Sequence, residues 1–405
     1  MGILSFFGLQ RRSDSVSNNE LMRILLGGNT TKSGQNVTVD SSFGIPALWA
    51  GFRMLGHTMA SLPLEVFERT KGGEFPAYDH PLYDLLTKQP SQLYNAFNWK
   101  EMMQVNLESY GNAYARIYRR KAEVFELEWL DPMGVTVLYN RSKRIKKYKV
   151  RYGGDASDEE ILDHDQILHL MIMSKDGLIG RSPINACKEA LGMMLSAQEY
   201  GAEFFANGAV PSGIFSTPAE LTPAQVTQLQ NLWKEKYQGA KNAGNVAIMH
   251  SGARFEQISA KPVDADFIKT MKWTGEQVAQ MLGIPPHILG VLDRSTNNNI
   301  EQQSTDLVVH GVRPRAKCWE VELNTKLFLT PDTRQRYHIR YNLDSLLRGD
   351  TAARGEFYSK LFNIGVLSPN DIRKQEHLNA RPGGDEYFVQ VNMGGNQSKQ
   401  TGNEQ

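Results

Sequence analysis

Apolar residues recur at helical spacing along most of this chain, and two such stripes frame a polar interval between Asp264 and Leu329. In the first, Phe267, Met271, Val278 and Leu282 share a face, with Thr274 between them. Lys269, Lys272, Glu276 and Gln280 share the opposite face, so the pattern predicts an amphipathic helix. Gly283-Ile284-Pro285-Pro286 ends it, because proline has no N–H and disfavours helical geometry in the residue before it. In the second stripe Val308, Val312, Ala316, Trp319, Leu323 and Leu327 line up, with Pro314 inside it and expected to kink it. Between them lies GVLDRSTNNN, short and polar, containing Asp293, Arg294, Ser295, Thr296, Asn297, Asn298 and Asn299. Two long helices joined in this way hold one polar loop in a fixed place.

The remaining chain reads as elements built around that device. Residues 1–39 are polar and rich in Gly, Ser and Asn apart from a short helical pattern at Leu21–Leu26, and are expected to form a loosely held arm. Pro46 to Leu62 is predicted helical, with Leu48, Phe52, Leu55 and Met59 on one face and Pro46 in the first turn. Strands are expected at Leu64–Arg69, Ala113–Tyr118, Glu123–Leu130, Val135–Tyr139 and Tyr148–Tyr152, and helices at His80–Leu86 and Asn98–Tyr110. Residues 40–182 thus read as an α+β domain.

Pro183 to Asn207 predicts a third long helix, with Cys187, Leu191, Leu195, Ala202 and Phe205 as its stripe and Gly192, Ala197 and Gly201 small enough for close helix contact. A compact unit follows at 209–261: a strand at Gly213–Ser216, a helix from Thr222-Pro223 to Tyr237, and a hairpin of Val246–Met249 with Arg254–Ile258. On the helix, Val226, Leu229 and Trp233 are expected to pack inward, while Gln228, Asn231, Lys234, Glu235 and Lys236 lie on the exposed side or next to it. After Leu329 a strand at Tyr337–Tyr341 is expected to return to the first domain, followed by helices at Ala352–Ile364 and from Ser368 to His377, and by a low-complexity tail beyond Met393.

A length of 405 residues accommodates two or three domains, and 40% hydrophobic residues suffice for a core. The formal net charge of +1 argues against a wholly basic nucleic-acid binder. Two cysteines, Cys187 and Cys318, both on apolar helix faces, fit core positions in a reduced compartment. No apolar run reaches the roughly 18 residues of a membrane span, and MGILSFFGLQRR has its charges after the apolar stretch, the reverse of a secretory signal. A soluble cytoplasmic protein is the expectation.

Candidate chemistry is sparse. Seven basic residues between Arg141 and Arg151 suggest a phosphate-contacting patch or, more in keeping with the lack of interleaved aromatics, a solvated hairpin whose lysines discourage edge pairing. Asp163, His164, Asp165 and His169 include metal-ligating types but lie along one strand with no second cluster to complete a site. There is no phosphate-binding Gly-rich Lys-Ser/Thr loop, no Gly-x-Ser-x-Gly elbow and no paired Cys-x-x-Cys. No catalytic residue, metal or cofactor is assigned.

The order of several segments nevertheless carries a resemblance: GNAYARI (111–117), DQILHL (165–170), DGLIGRSPI (176–184), NGAVPSGIF (207–215), NAGNVAIMHSGARFEQIS (242–259), VAQMLGIPPHILG (278–290) and NNNIEQQ (297–303). Together they resemble the HK97 family of phage portal proteins over about residues 40–391. The resemblance implies an α+β portal-type fold: an α/β wing at 40–182 completed by the strand near 337–341, stem helices at 183–208 and 262–284, and a small α/β clip at 209–261. It further implies a tunnel loop at 285–299, a kinked helix within 300–350, a helical crown at 351–391 and a tail at 392–405. It implies a ring, usually of twelve copies, at one capsid vertex of a virion assembled in the host cytoplasm. Double-stranded DNA would pass through it without sequence specificity, and the terminase large subunit, the major capsid protein and a head–tail adaptor would be partners. On this mapping Asp293 to Asn299 face DNA, Lys269, Lys272, Glu276 and Gln280 form the polar face of the stem, and Gln228, Asn231, Lys234, Glu235 and Lys236 face the terminase. The near-neutral charge suits a conduit, since a strongly basic tunnel would grip DNA through counterion release. A connector without motor contact and a DNA-processing enzyme are the competing classes.

Overall fold

In a computed structural model of the chain, the structure describes residues 10–11, 30–152, 158–206, 213–216, 218, 220–237, 254–257, 274–290, 305–343, 346, 351–376 and 378–388. Strand β1 (Gln10–Arg11) is followed by helix α1 (Pro46–Ser61), strands β2 (Leu64–Thr70) and β3 (Gly73–Pro76), and helices α2 (Pro81–Thr87) and α3 (Ala96–Tyr110). Then come β4 (Asn112–Arg120), β5 (Glu123–Leu130), β6 (Val135–Asn140), β7 (Ile145–Arg151), β8 (Glu159–Asp163) and β9 (Ile167–Met171). Helix α4 (Lys188–Ala206), strand β10 (Gly213–Ser216), helix α5 (Pro223–Tyr237) and strand β11 (Arg254–Gln257) follow. Helix α6 spans 274–282, α7 spans Arg313–Leu327, and β12 (Tyr337–Tyr341) closes the first of two compact units, residues 1–342.

Local signals account for the ends of these elements. Pro46 occupies the first turn of α1, and Pro63 stops the chain just beyond it. Asn95 caps α3 by accepting from the Asn98 amide, and Gly111 ends that helix in the left-handed conformation at φ 73°. The α1 stripe is fully buried, and Lys100 of α3 donates to the Leu62 carbonyl at 2.9 Å, capping the end of α1. The long helix expected from Pro183 is interrupted: a short turn at Pro183–Ala186 ends at Cys187, and α4 starts at Lys188. Its buried residues are Leu191, Gly192, Met194 and Gly201, whereas Leu195 is half-buried and Ala202 exposed, so the inward face is rotated from the one the spacing suggested.

Among the described residues, four antiparallel sheets form. One has the order β1-β6-β7-β8, another β12-β2-β3, a third β5-β4-β9, and β10 pairs with β11. The return strand Tyr337–Tyr341 pairs with Leu64–Glu68 as the sequence suggested. In contrast, β11 pairs with Gly213–Ser216, while Val246–Met249, expected as its hairpin partner, lies outside the described residues. The basic strand β7 lies beside acidic β8: Lys147 reaches Asp163 at 2.8 Å, Arg151 reaches Glu159 at 2.7 Å, and Lys149 also pairs with Glu159. These partners neutralise Lys147, Lys149 and Arg151 along the strand, whereas Arg141, Lys143 and Arg144 around the turn are exposed.

Residues 30–39, expected as part of a loose arm, are packed. Val37 is buried in the core with α1, and Thr31 is buried at Gly192, where an added Cβ would lie 2.4 Å from its hydroxyl. The small residue therefore does permit a close approach, but of the arm and not of another long helix. Two apolar clusters organise this unit. One joins Val37, Ile45, Leu48, Phe52 and Leu55 to Ile184, Leu191, Met194, Val278, Leu282 and Ile284. The other fills the space between sheets with Tyr114, Leu130, Val137, Tyr148, Val150, Leu162 and Ile167.

In the second unit, residues 343–405, helices span Thr351–Asn363 and Pro369–Gln375. Ser368 and Asp371 form a reciprocal capping box, and Tyr358 donates to Glu376 at 2.9 Å.

The motif glycines Gly111 and Gly180 face one another across a backbone contact. A Cβ on Gly111 would lie 2.1 Å from the Arg181 carbonyl oxygen, and one on Gly180 would lie 2.0 Å from that of Gly111. We therefore expect Gly111→Ala to lower stability by about 1–3 kcal/mol through steric overlap and the left-handed conformation. Denaturant unfolding monitored by tryptophan fluorescence would check this, with Gly177→Ala, which has positive φ but nothing within 4 Å, costing less.

Candidate functional site

The described residues that flank the polar interval are held close to one point. Helix α6 ends at Gly283, φ 63°, where the Ile284 amide donates back to Ala279 at 3.0 Å. Pro285 and Pro286 lead into a tight turn at Pro286–Leu289, and Gly290 is left-handed at φ 79°. On the far side, Leu307–Val312 forms a π-helical stretch that runs directly into α7. The Arg313 amide reaches back five residues to the Val308 carbonyl, and the next residue, Pro314, has no N–H to give. The expected kink is thus realised as a widened turn, a common way for a helix to take up such a mismatch. All six residues of the predicted stripe, from Val308 to Leu327, are buried.

Small residues let these pieces touch. A Cβ on Gly51 of α1 would fall 2.2 Å from Leu282 and 3.6 Å from Leu289. Gly311, in the π stretch, has the Gly283 carbonyl and Ile284 within 3.8 Å of its would-be Cβ. The described residues on either side of 291–304 therefore pack closely, the preceding turn against α1 and the π stretch against the end of α6.

A half-buried arginine ties the arrangement together. Arg315 donates from Nε to Glu108 at 2.5 Å and from Nη2 to the other Glu108 oxygen at 2.9 Å, a two-pronged pair. The same guanidinium donates to the Gly311 carbonyl at 2.7 Å and to the Leu282 carbonyl, at the C-terminus of α6, also at 2.7 Å. Glu108 accepts from Gln104 at 2.6 Å, and Gln104 accepts from the Trp319 indole at 2.8 Å. Trp319 meets Trp99 edge to face at 5.4 Å. One network thus joins α3, α6, the π stretch and α7. Sequence reasoning missed Arg315, Glu108 and Gln104. The available signal was the Gln104/Glu108 pair, four apart and interleaved with the apolar Trp99, Met103 and Leu107.

The sequence-predicted site residues are distributed unevenly. Asp293, Arg294, Ser295, Thr296, Asn297, Asn298, Asn299, Lys269 and Lys272 lie outside the described residues. Glu276 is half-buried and Gln280 exposed on α6, so of the two only Gln280 has the solvent access of a polar face. Gln228 and Asn231 are exposed on α5, with Lys234, Glu235 and Lys236 following on that helix. Val226 and Leu229 are also exposed, against the expectation that they pack inward, and Leu232 is exposed beside them.

His169, weighed as a metal ligand, is a core residue. Its Nε2 lies 3.0 Å from Asn112 Oδ1, an acceptor that also receives the Gly180 amide at 2.7 Å. Nε2 must therefore carry the proton, leaving Nδ1 to accept from Tyr148 at 3.1 Å and Lys146 at 3.2 Å. Burial, then the charges of Lys146 and Lys326, hold its pKa well below the ordinary imidazole value. Burial likewise pushes Lys146 down to about 8. Among the described residues no group of His, Cys, Asp and Glu is arranged to hold a metal, and no helix is long and apolar enough to cross a membrane.

Comparison with known proteins places this architecture. The family described as phage portal protein matches residues 46–376. The portal protein of Enterobacteria phage HK97 is 32% identical over 350 residues, covering 84% of this chain and 80% of the relative. The probable portal protein of Streptomyces phage phiC31 is 27% identical over 378 residues, covering 91% and 82%. Among solved structures, a chain from the neck of an empty gene transfer agent particle aligns with a TM-score of 0.61 at 21% identity, covering 83% of this chain and 91% of that one. An HK97-family phage portal protein from Corynebacterium diphtheriae aligns at 0.56 and 15%, covering 78% and 99%. The chain belongs to the phage portal protein family, and its fold is that of these portal and neck chains.

Two outcomes are expected of the site. Arg315→Met should cost about 3–5 kcal/mol, because it strands a buried carboxylate, and adding Glu108→Gln should restore part of the loss. Guanidinium unfolding of the two singles and the double would measure both. Folding keeps His169 neutral while the unfolded chain protonates near the ordinary value of 6.5. The unfolded state therefore binds more protons below that pH, and stability from this group is lost as pH falls through about 6.5. Thermal unfolding from pH 7.5 to 5.5 should show a steeper decline for the natural chain than for His169→Gln.

Proposed function

We propose that copies of this chain assemble into a ring, of twelve subunits, at one capsid vertex, and that the ring is the conduit through which double-stranded DNA enters and leaves. The observation that carries this reading is that Arg315 bonds carbonyls on both sides of 291–304, at Leu282 before it and Gly311 after it. A polar segment held at fixed bases, repeated around a ring, presents many weak phosphate contacts at one level. Such contacts carry no sequence information, as a conduit for any genome requires. In this reading 40–182 with β12 is the wing, 183–208 and 262–284 the stem, 209–261 the clip and 351–391 the crown.

The exposed apolar row Val226, Leu229 and Leu232 on α5 supports assembly, because a helix face of this kind is covered when a neighbour packs on it. The polar residues Gln228, Asn231, Lys234, Glu235 and Lys236 then form the clip surface that meets the terminase large subunit. The major capsid protein and a head–tail adaptor take other faces of the ring. The protein acts as a structural element with no turnover of its own.

Two measurements test this. Native mass spectrometry of the purified chain should give a closed oligomer, and a monomer at every accessible concentration would overturn the reading. Replacing Asn297, Asn298 and Asn299 by alanine should leave ring mass unchanged while reducing DNA packaging or retention. Normal packaging by such rings would remove the loop from its DNA-facing role.

A further inference from the structure

Helices α1 and α4 each bury one face in the same apolar cluster, α1 through Leu48, Phe52 and Leu55 and α4 through Leu191 and Met194. Each turns a second strip to solvent. On α1 that strip runs through Trp49, Arg53 and His57, one turn apart, and the helix contains no acidic residue. On α4 it runs through Met193, Glu199, Tyr200 and Glu203, and the helix carries three glutamates against one lysine. Large side chains stand out from both: Trp49 is 53% exposed, Met193 47% and Tyr200 55%.

The charges on these strips are not neutralised within the chain. Glu101 of α3 lies 3.0 Å from His57, whereas Arg53 has no carboxylate partner among the described residues. Glu199 accepts from the neutral Gln35 side chain and keeps its charge, and Glu203 has no cationic partner among the described residues.

We propose that the α1 strip of one subunit packs on the α4 strip of the next, with Arg53 between Glu199 and Glu203 and Trp49 between Met193 and Tyr200. The occupant of each strip is a second copy of this chain. The inference rests on the ring reading above.

Three observations carry it. The first is charge: a strip with an unpaired arginine and no acid on its helix complements one with two exposed carboxylates and no exposed cation. The second is spacing. At 1.5 Å per residue, Trp49 precedes Arg53 by about 6 Å along its helix, and the midpoint of Met193 and Tyr200 precedes that of Glu199 and Glu203 by about 7 Å. Laid parallel, the two helices therefore bring the apolar and the charged contacts into register together. The third is placement. Both strips are exposed in the single chain, so contact between them requires two copies. Two different patches of one chain meeting in this way make a head-to-tail contact, the kind whose repetition closes a ring. Tryptophan, tyrosine and arginine are also the side chains that concentrate binding energy at interfaces.

A charge exchange tests this. Arg53→Glu and Glu203→Arg are made singly and together, each protein is checked by circular dichroism, and ring mass is followed by native mass spectrometry on dilution. Each single variant should dissociate at concentrations about tenfold or more above those for the natural chain, and the double variant should recover most of that loss. Singles as resistant to dilution as the natural chain, or a double as weak as the singles, overturn the proposal and leave the ring reading standing. If the natural chain is itself monomeric, both readings fall. The second measurement does not depend on charge. Arg53→Cys with Glu203→Cys is made in a chain whose Cys187 and Cys318 are replaced by serine and alanine, and is oxidised at a concentration at which the natural chain is a ring. A ladder of linked subunits on a non-reducing denaturing gel, collapsing on reduction, is the expected result. Single-chain bands alone overturn the contact.

Discussion

The bidentate pair between Arg315 and Glu108 is the constraint on which the central part of this fold depends. Both groups are largely removed from water, and neither would be tolerated there alone. Their pairing fixes α7 against α3, and the remaining donors of the guanidinium reach the last carbonyl of α6 and a carbonyl of the π stretch. Helix ends leave unsatisfied carbonyls, and a π turn strains the usual ladder, so one planar five-donor group settles several polar debts at the same point. A lysine could carry the charge but not the fork, which is why the position requires arginine chemistry.

A second constraint is spatial and not electrostatic. Gly111 and Gly180 allow backbone to lie on backbone, and Asn112 bonds the Gly180 amide and carbonyl there through its own side chain. Ser182 adds a bond to the Ser109 carbonyl at 2.7 Å. The segments GNAYARI and DGLIGRSPI are therefore one contact seen from two sides. Their residue types follow from close approach, with His169 drawn in as a neutral donor to the same asparagine. What looks like motif chemistry in the sequence is the joining of the β5-β4-β9 sheet to the chain that leads into α4.

How much was legible follows from what each signal depends on. The stripes of α1 and α7 were readable because apolar periodicity reports burial directly, and every residue of both lies in the core. Strand ends were read short, at β4 and β7 especially, since charged residues such as Arg119 and Lys146 continue the ladder by finding partners elsewhere. The packing of 30–39 was hidden because its anchor is Thr31 beside Gly192, a contact between distant residues with no local pattern. The Arg315 network was hidden for the same reason: a charged residue in a helix reads as solvated until the facing carboxylate is known. On α5 the stripe was visible but its destination was not. Periodicity shows that a face is covered, without showing whether the cover lies within the same chain, and Val226 and Leu229 are exposed in this one.

The π stretch connects these points to the loop beyond it. An α-helix with proline at 314 would lose a bond and collide with the preceding turn, at a cost of about 3 kcal/mol. Widening the turn at 307–312 shifts the bonding pattern by one residue, so that Arg313 bonds Val308 and the proline falls where no donor is needed. Gly311 lies beside the end of α6, where an added Cβ would come to 3.8 Å from the Gly283 carbonyl and from Ile284, ordinary contact distances. Proline and arginine at 314 and 315 thus act together: the first suits the wide turn, and the second bonds the Gly311 carbonyl within it and the Leu282 carbonyl at the end of α6. The described residues on either side of 291–304 are thus joined through Arg315 and the close approach at Gly51, all outside that segment.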